Sequence, residues 1–292
     1  MVAQTTLLAI VNPLSGTASV QDKQKWVDFL LTKAPDAGFT PEAVFTTHPG
    51  HATELAAAAV RQGIRRLVII GGDGTVNETA QALLNTQTAL GIVPVGSGNG
   101  LARHLSLPLN PKKAIERAIH GRPVVIDSGR INERAFFCTT GIGFDAYVAG
   151  EFAQQPVRGL PTYIRTAYRA FWNYQPATYE IDQKPHRLFS LTIANAGQFG
   201  NNAWISPQSN VADGLLDVCQ LKPFPPSAVG MLAWRLFNKT LDQSTYLTVR
   251  PTRTVVVKGE GPLLIHVDGE PVMLTTDTVT VQVVPSSLLV IR

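Results

Sequence analysis

Residues Leu67 to Glu78 read LVIIGGDGTVNE. A run of β-forming residues stops at two glycines, an aspartate and a third glycine, then passes into helix-compatible residues, which predicts a strand feeding a tight turn and a helix. Glycines in such a turn let backbone N–H groups approach an anion, and the helix that follows aims its partially positive N-terminus at it. Asp73 is itself acidic, so it is not there to attract phosphate. A carboxylate at that point suits a bound divalent cation or a proton acceptor. The turn therefore predicts a strand–helix layout with metal-assisted phosphate chemistry at the end of the strand.

The surrounding pattern agrees. From Thr6 to about Pro123, short apolar runs (Leu7–Val11, Ala43–Thr46, Leu67–Ile70, Gly91–Val95) alternate with helical stretches (Lys23–Leu31, Thr53–Arg61, Asn77–Leu84), the signature of a parallel α/β sheet. In an open parallel sheet, ligands bind beyond the carboxyl ends of the strands, so the loops after these strands are expected at one edge. After Val124 the character changes. Strand-like runs at Val124–Asp127, Ala135–Thr139, Leu188–Ala194, Leu215–Leu221, Thr254–Lys258, Leu263–Val267, Thr278–Val284 and Leu288–Ile291 recur at irregular spacing, with helical pattern at Thr162–Trp172 and Ala228–Leu236. Two domains are expected: 1–123, α/β, and 124–292, an antiparallel β-rich domain.

With 45% hydrophobic and 16% charged residues, the 292-residue chain can build real cores and is not a disordered tail. No apolar run approaches the roughly 20 residues that span a bilayer, and the opening MVAQTTLLAIVNP lacks a basic leader region, so a cytoplasmic protein is expected. Cys138 and Cys219 have neither CxxC spacing nor a histidine cluster and read as buried free thiols. The net charge of +4 is compatible with anionic partners, but no Lys/Arg run marks a nucleic-acid arm. Arg158, Arg165 and Arg169 alternate with Leu160, Tyr163, Ile164, Tyr168, Phe171 and Trp172. Such a segment suits a lipid headgroup layer, or else an amphipathic helix that packs its aromatic face on the core.

Three glycine-bearing loops lie in the first domain. Asn12-Pro13-Leu14-Ser15-Gly16 offers an amide, a hydroxyl and a flexible backbone; Gly71-Gly72-Asp73-Gly74-Thr75-Val76-Asn77 is the turn above; Gly96-Ser97-Gly98-Asn99-Gly100 follows the fourth strand and brings the Ser97 hydroxyl. Each alone is an ordinary turn, and together at one sheet edge they read as a nucleotide site. Neither GxxxxGK[ST] nor GxGxxG after the first strand is present, which excludes an ordinary P-loop and a dinucleotide fingerprint. Thr47, after the second strand, is placed to hydrogen-bond a nucleotide, while His48 and His51 read as capping or packing residues. In the second domain two acidic turns stand out, Asn210-Val211-Ala212-Asp213-Gly214-Leu215 and Val267-Asp268-Gly269-Glu270. Asp-Gly is also a common hairpin pair. The carboxylate pair Asp268 and Glu270 would nevertheless give a site an ion-organising group and a base.

With these motifs in order, the chain resembles the diacylglycerol kinase catalytic family of lipid kinases, in particular its bacterial soluble members, with features of sphingosine and ceramide kinases. NPLSG (12–16), TTHPGHA (46–52), GGDGTVNE (71–78), GSGNGLAR (96–103), GIGFDA (141–146), RGLPTYI (158–164), ISPQSNVADGLLDV (205–218) and VDGE (267–270) carry the resemblance nearly end to end. GGDGT by itself is shared with NAD kinases and phosphofructokinases. The resemblance implies a Rossmann-like nucleotide domain of the phosphofructokinase and NAD kinase kind plus a C-terminal antiparallel β-sandwich, with ATP and Mg²⁺ in a cleft between them. It also implies transfer of the γ-phosphoryl group to a lipid hydroxyl, as in phospholipid metabolism. Asn12, Pro13, Leu14, Ser15, Gly16, Thr47, Gly71 to Asn77 and Ser97 would then hold ATP. Asp213, with backbone near Asn210 and Leu215, would belong to a magnesium site linked through water to Asp73, and Asp268 or Glu270 would take the hydroxyl proton. Bacterial members commonly carry GTxND in the third loop. The Asp is absent here, and GSGN is nearer the sphingosine and ceramide kinases, which leaves diacylglycerol and a sphingoid-like acceptor both open.

The implied partner is a lipid at a membrane surface, approached peripherally, with no nucleic acid; a homodimer is compatible. Two other functions compete. A soluble-substrate kinase of the NAD kinase type explains GGDGT but not NPLSG or ADGLLD. A non-catalytic nucleotide or lipid-binding protein leaves the filled acidic positions without a purpose.

Overall fold

The computed structural model describes residues 5–156 and 159–292; Arg158 and the first four residues lie outside them. Two compact units divide the chain, one of residues 1–126 with 286–292, the other of residues 127–285.

In the first unit, strands β1 (Thr5–Val11), β2 (Phe39–Phe45), β3 (Arg66–Gly71) and β4 (Ala89–Pro94) run parallel in the order β2-β1-β3-β4. Helices α1 (Val20–Lys33), α2 (His51–Arg61), α3 (Asp73–Leu83), the single turn α4 (Gly100–His104) and α5 (Pro111–His120) connect and cover them. β3 and β4 are buried along almost their whole length, as strands sandwiched by helices must be. α1 and α5 bury one stripe each, and their Val27, Leu30, Ala114, Ile115, Ala118 and Ile119 share a core with Leu7, Ala9, Val11, Val68, Ile70 and Val93. β2 starts four residues before its expected position. It contains Pro41 and occupies the sheet edge, where a residue without an N–H is tolerated.

The second unit holds β6 (Arg134–Phe136), β7 (Thr139–Gly143), α6 (Phe144–Ala153), α7 (Leu160–Asn173), β8 (Ala177–Ile181), β9 (Lys184–Leu188), β10 (Ser190–Ala194), β11 (Gln198–Gly200), β12 (Ala203–Trp204), β13 (Leu216–Leu221), α8 (Val229–Phe237), β14 (Leu247–Thr252), β15 (Thr254–Lys258), β16 (Leu264–Val267) and β17 (Glu270–Met273). The strand β5 (Pro123–Ile131) enters this unit, and β18 (Thr278–Ile291) leaves it. One sheet has the order β14-β13-β10-β7-β16-β17, all antiparallel. β15 pairs antiparallel with β18 and β8, and β8 with β9. Ile142, Leu191, Ile193, Val218 and Ile265 of the first set pack against Tyr179, Ile181, Val255, Val257, Val279 and Val281 of the second, which makes a β-sandwich.

The C-terminal residues depart from the sequence-based boundary. The sequence pattern assigns 124–292 to one domain, yet residues 286–292 cluster with the first unit. Val290 pairs parallel with Leu90, Arg122 and Arg292 exchange backbone hydrogen bonds of 3.0 Å, and Leu288, Val290 and Ile291 are buried. The pattern also shows two runs where the structure has one strand, because Pro285-Ser286-Ser287 interrupts the alternation and Ser286 sits at φ 52°. Leu288→Ala is expected to cost about 2–5 kcal/mol. Hydrogen exchange should then show protection lost in β3 and β4 while β15 and β16 keep theirs; the opposite pattern would return these residues to the second unit.

Candidate functional site

In the first unit the four loops after β1 to β4 share one edge, because the strands are parallel. Asn12 sits at the end of β1. Its N–H reaches the carbonyl of Ile70 at 3.0 Å, its Nδ2 reaches Thr75 Oγ1 at 2.8 Å, and its Oδ1 accepts the Leu14 N–H at 2.9 Å. The Ser15 hydroxyl donates to the Asn12 carbonyl at 3.1 Å. Lys23, fully buried on α1, donates to the carbonyls of Pro13 (2.7 Å) and Ser15 (2.6 Å). Those two bonds turn the loop's carbonyls inward towards a cation. Loss of solvent lowers the Lys23 pKa below its usual value.

The loops are packed backbone to backbone. A Cβ on Gly16, at φ 67°, would lie 1.7 Å from the Val95 carbonyl oxygen, and one on Gly96 would lie 2.7 Å from Gly72 Cα. Side chains at those two positions would force the first and second loops away from the third. The Asp73 carboxylate completes the assembly: Oδ2 accepts the Asn99 N–H at 2.8 Å and Oδ1 the Gly100 N–H at 2.7 Å. Asn99 holds the left-handed conformation (φ 53°) and folds its side chain back on Gly96, accepting from its N–H at 3.0 Å and donating to its carbonyl at 2.8 Å. Asp73 thus ties the second loop to the third, a use of the carboxylate that spacing alone did not suggest.

This edge fits a polyphosphate. Gly72, Asp73 and Gly74 open α3, an N-terminus suited to an anion, and apart from its chain neighbours and its own helix backbone nothing lies within 4 Å of where a Cβ on Gly74 would stand. Ser97, in the third loop, is exposed, and Val76 and Thr75 turn inward as the first buried residues of the helix. Asn77 accepts from Gln81 Nε2 at 2.5 Å. Thr47 is exposed, with its hydroxyl 3.0 Å from His48 Nδ1 and 3.1 Å from His51 Nδ1. The stacked His48 and His51 rings organise that loop, as their reading as packing residues expected.

In the second unit Asp268 and Gly269 form the two-residue turn of the β16–β17 hairpin, both at positive φ (48° and 86°), the geometry that Asp-Gly favours. Asp268 is also a clamp. Its carboxylate accepts N–H groups from Phe137 (2.9 Å), Cys138 (2.8 Å) and Thr139 (3.0 Å). Glu270, the next residue but one, is exposed. The other acidic turn is held in the same way by a residue that no sequence motif marks: buried Asp127 accepts the Gly214 N–H at 2.7 Å and donates its own N–H to the Val211 carbonyl at 2.6 Å. Asn195 joins the two, its Nδ2 reaching the carbonyls of Asp127 (3.0 Å) and Phe137 (2.9 Å). Asp145 of the GIGFDA motif accepts from Thr192 at 2.6 Å and lies 3.3 Å from buried His266, whose Nδ1 is 3.3 Å from the Gly269 N–H.

Asn210 and Asp213 each accept the N–H two residues on, from Ala212 (3.1 Å) and Leu215 (3.0 Å). Asn210–Ala212 and Asp213–Leu215 are therefore two successive Asx turns, and among the described residues no group of three or more His, Cys, Asp or Glu side chains is arranged around a metal position. The exposed Asp213 carboxylate is a hard oxygen donor, which suits Mg²⁺ only in company with waters or phosphate oxygens. Cys138 and Cys219 form no disulfide and are buried, and burial raises the Cys219 thiol pKa well above its usual value.

Comparison with known proteins agrees across the chain. The diacylglycerol kinase catalytic domain matches residues 6–131, and the YegS C-terminal NAD kinase beta sandwich-like domain matches residues 139–292. A Pseudomonas putida protein named "Probable lipid kinase YegS-like" is 31% identical over 244 residues, 81% of this chain and 80% of that protein. A Mycobacterium tuberculosis protein named "Diacylglycerol kinase" is 27% identical over 296 residues, covering 97% and 94%. A crystal structure of a diacylglycerol kinase from Bacillus anthracis shares the fold, with a TM-score of 0.76 at 19% identity over 99% of this chain and 97% of that one.

Lys23 lay within reach of sequence reasoning: it falls in register with Val27 and Leu30 on the buried stripe of α1, where a lysine needs a reason. Lys23→Met removes both tethers of the first loop and is expected to weaken ATP binding by about tenfold or more, from charged hydrogen bonds of ~1.5–3 kcal/mol each. Calorimetric titration with ATP checks this, and an unchanged Kd would show that the tethers do not set the loop.

Proposed function

Because the chain belongs to the diacylglycerol kinase catalytic family of lipid kinases, we propose that it transfers the γ-phosphoryl group of ATP, with Mg²⁺, to the hydroxyl of a lipid acceptor, diacylglycerol or a sphingoid-like lipid. The observation that carries the reading is the cradle of three glycine loops at one sheet edge, locked by Asp73 and Lys23 with α3's N-terminus open beside it. Asn12 to Gly16, Thr47, Gly71 to Asn77 and Ser97 are the proposed ATP contacts.

Phosphoryl transfer passes through a loose transition state, so the protein contributes positioning and charge neutralisation. Fixed backbone N–H groups of the loops supply the first without reorganisation. Mg²⁺, when bound, would neutralise phosphate charge, with the exposed Asp213 as an oxygen donor. The lipid oxygen attacks the γ-phosphorus, the bond to the β-phosphate oxygen breaks, ADP leaves, and the hydroxyl proton passes to a carboxylate. Of the two candidates Glu270 suits that role better: Asp268 has its oxygens directed at three backbone N–H groups, whereas Glu270 is exposed.

The acceptor is drawn from two sides. The Mycobacterium tuberculosis relative, matched over 97% of this chain, is named a diacylglycerol kinase, while the third loop is GSGNG. The described residues contain no helix long and apolar enough to cross a membrane, and the proposed mode is peripheral, from the cytoplasm. Incubation with labelled ATP, Mg²⁺, a total lipid extract and NAD, with products identified by mass, tests the whole reading. A labelled lipid is expected; label found in NADP alone would move the chain to the NAD kinase type. Glu270→Gln is expected to lower kcat about 10²-fold with Tm unchanged. Asp268→Asn should instead lower Tm, since it weakens a clamp whose charged hydrogen bonds are worth ~1.5–3 kcal/mol each. Full kcat in the Glu270 variant would remove it from the chemistry.

A further inference from the structure

Helix α7 buries the wrong face. Its inward stripe is Thr162, Thr166 and Ala170, spaced four apart, all small. Two residues further along from each, about 200° around the helix, stand Ile164, Tyr168 and Trp172, exposed at 53%, 64% and 58%. The Tyr168 and Trp172 rings meet edge to face at 6.2 Å, so they form a continuous outer ridge. An aromatic face packed on the core, one of the two expectations for this segment, thus describes only part of α7, whose aromatic residues are divided between the unit's interior and its outside. Among the described residues of α7, Phe171 makes ring contacts with Phe189 and Phe224, and Tyr163 with Phe152.

α8 repeats the arrangement on a smaller scale. Its buried residue is Leu232, and Trp234, two positions on, is 61% exposed, with Met231 and Phe237 exposed on either side. Phe224 links the two helices: Phe171 of α7 stacks on it at 5.9 Å, and it packs on the cluster that contains Leu232 of α8. Within both helices and the segments that flank them in sequence, the charge is of one sign. Arg165 and Arg169 are exposed and alternate with the ridge, no Asp or Glu occurs from Gly159 to Tyr179, and none occurs from Val218 to Leu241. Apolar rings flanked by arginines, on helices that carry no acid of their own, match an anionic lipid surface in chemistry and charge.

We propose that the outer faces of α7 and α8 dock the second unit onto an anionic bilayer, with Tyr168, Trp172 and Trp234 inserted at the headgroup boundary and Arg165 and Arg169 on lipid phosphates. The inference takes its purpose from the lipid-kinase reading, but its test does not depend on it. The full chain is floated with phosphatidylcholine vesicles, with and without phosphatidylglycerol. Binding to the anionic vesicles is expected, weakening with salt. Tyr168→Ala/Trp172→Ala and, separately, Trp234→Ala should lower partitioning about tenfold, and Arg165→Glu/Arg169→Glu should abolish the preference for phosphatidylglycerol. All should keep the wild-type Tm, since these side chains are exposed, and all should still phosphorylate a short-chain, water-soluble acceptor. Absence of vesicle binding, or binding that none of the substitutions alters, would overturn the proposal. So would a Tyr168→Ala/Trp172→Ala variant that shifts only a monomer–dimer equilibrium, which would give the face to a second copy. If the wild type phosphorylates no lipid at all, the kinase reading fails while the flotation result stands.

Discussion

The carboxylate of Asp73 accepts two backbone N–H groups, from Asn99 at 2.8 Å and Gly100 at 2.7 Å, and the loop edge of the first unit depends on that arrangement. Loops on separate strands have no reason of their own to hold N–H groups in one place. An ionised acceptor bonded to two donors fixes them more firmly than neutral contacts would. Glycines at 16, 72 and 96 then let the backbones close on one another, and Lys23 draws the first loop's carbonyls inward. The carboxylate that in the sequence suits a bound cation or a proton acceptor acts here as a brace between two loops.

The second unit uses the same device. Asp268 collects three N–H groups from residues 137–139 and Asp127 holds the Asp213 turn, with Asn195 spanning both. A buried or half-buried carboxylate surrounded by peptide N–H groups satisfies strand ends that the sheet leaves unpaired. The acids thereby fall into two kinds. Asp73, Asp127 and Asp268 hold backbone from other parts of the chain, whereas Glu270 and Asp213 are exposed residues, Asp213 accepting the N–H of nearby Leu215.

Much of the fold was legible because it rests on periodicity. Buried β3 and amphipathic α1 and α2 announce themselves, and the glycine turns mark where β1, β3 and β4 end. α6 did not, since Phe144–Ala153 is apolar nearly all round and has no stripe. The split of β18 between two units was hidden because pairing partners far apart in sequence leave no local trace. The ordered motifs marked the loops and acids of the candidate site. They did not disclose the bonds of Asp73, Asp127 or Asp268, whose partners are peptide groups and carry no residue identity. Lys23 differs: a cation in register with Val27 and Leu30 was visible in the sequence.

If Asp73 braces the ATP cradle, weakening it must loosen the nucleotide even when no metal is present. The most direct measurement is calorimetric titration of Asp73→Asn with ATP in the absence of divalent cation, which isolates the brace from any metal role. Asparagine keeps the size but loses the charge and one acceptor, so affinity should fall by at least about tenfold, the equivalent of ~1.4 kcal/mol. ATP binding equal to that of the wild type would contradict the brace.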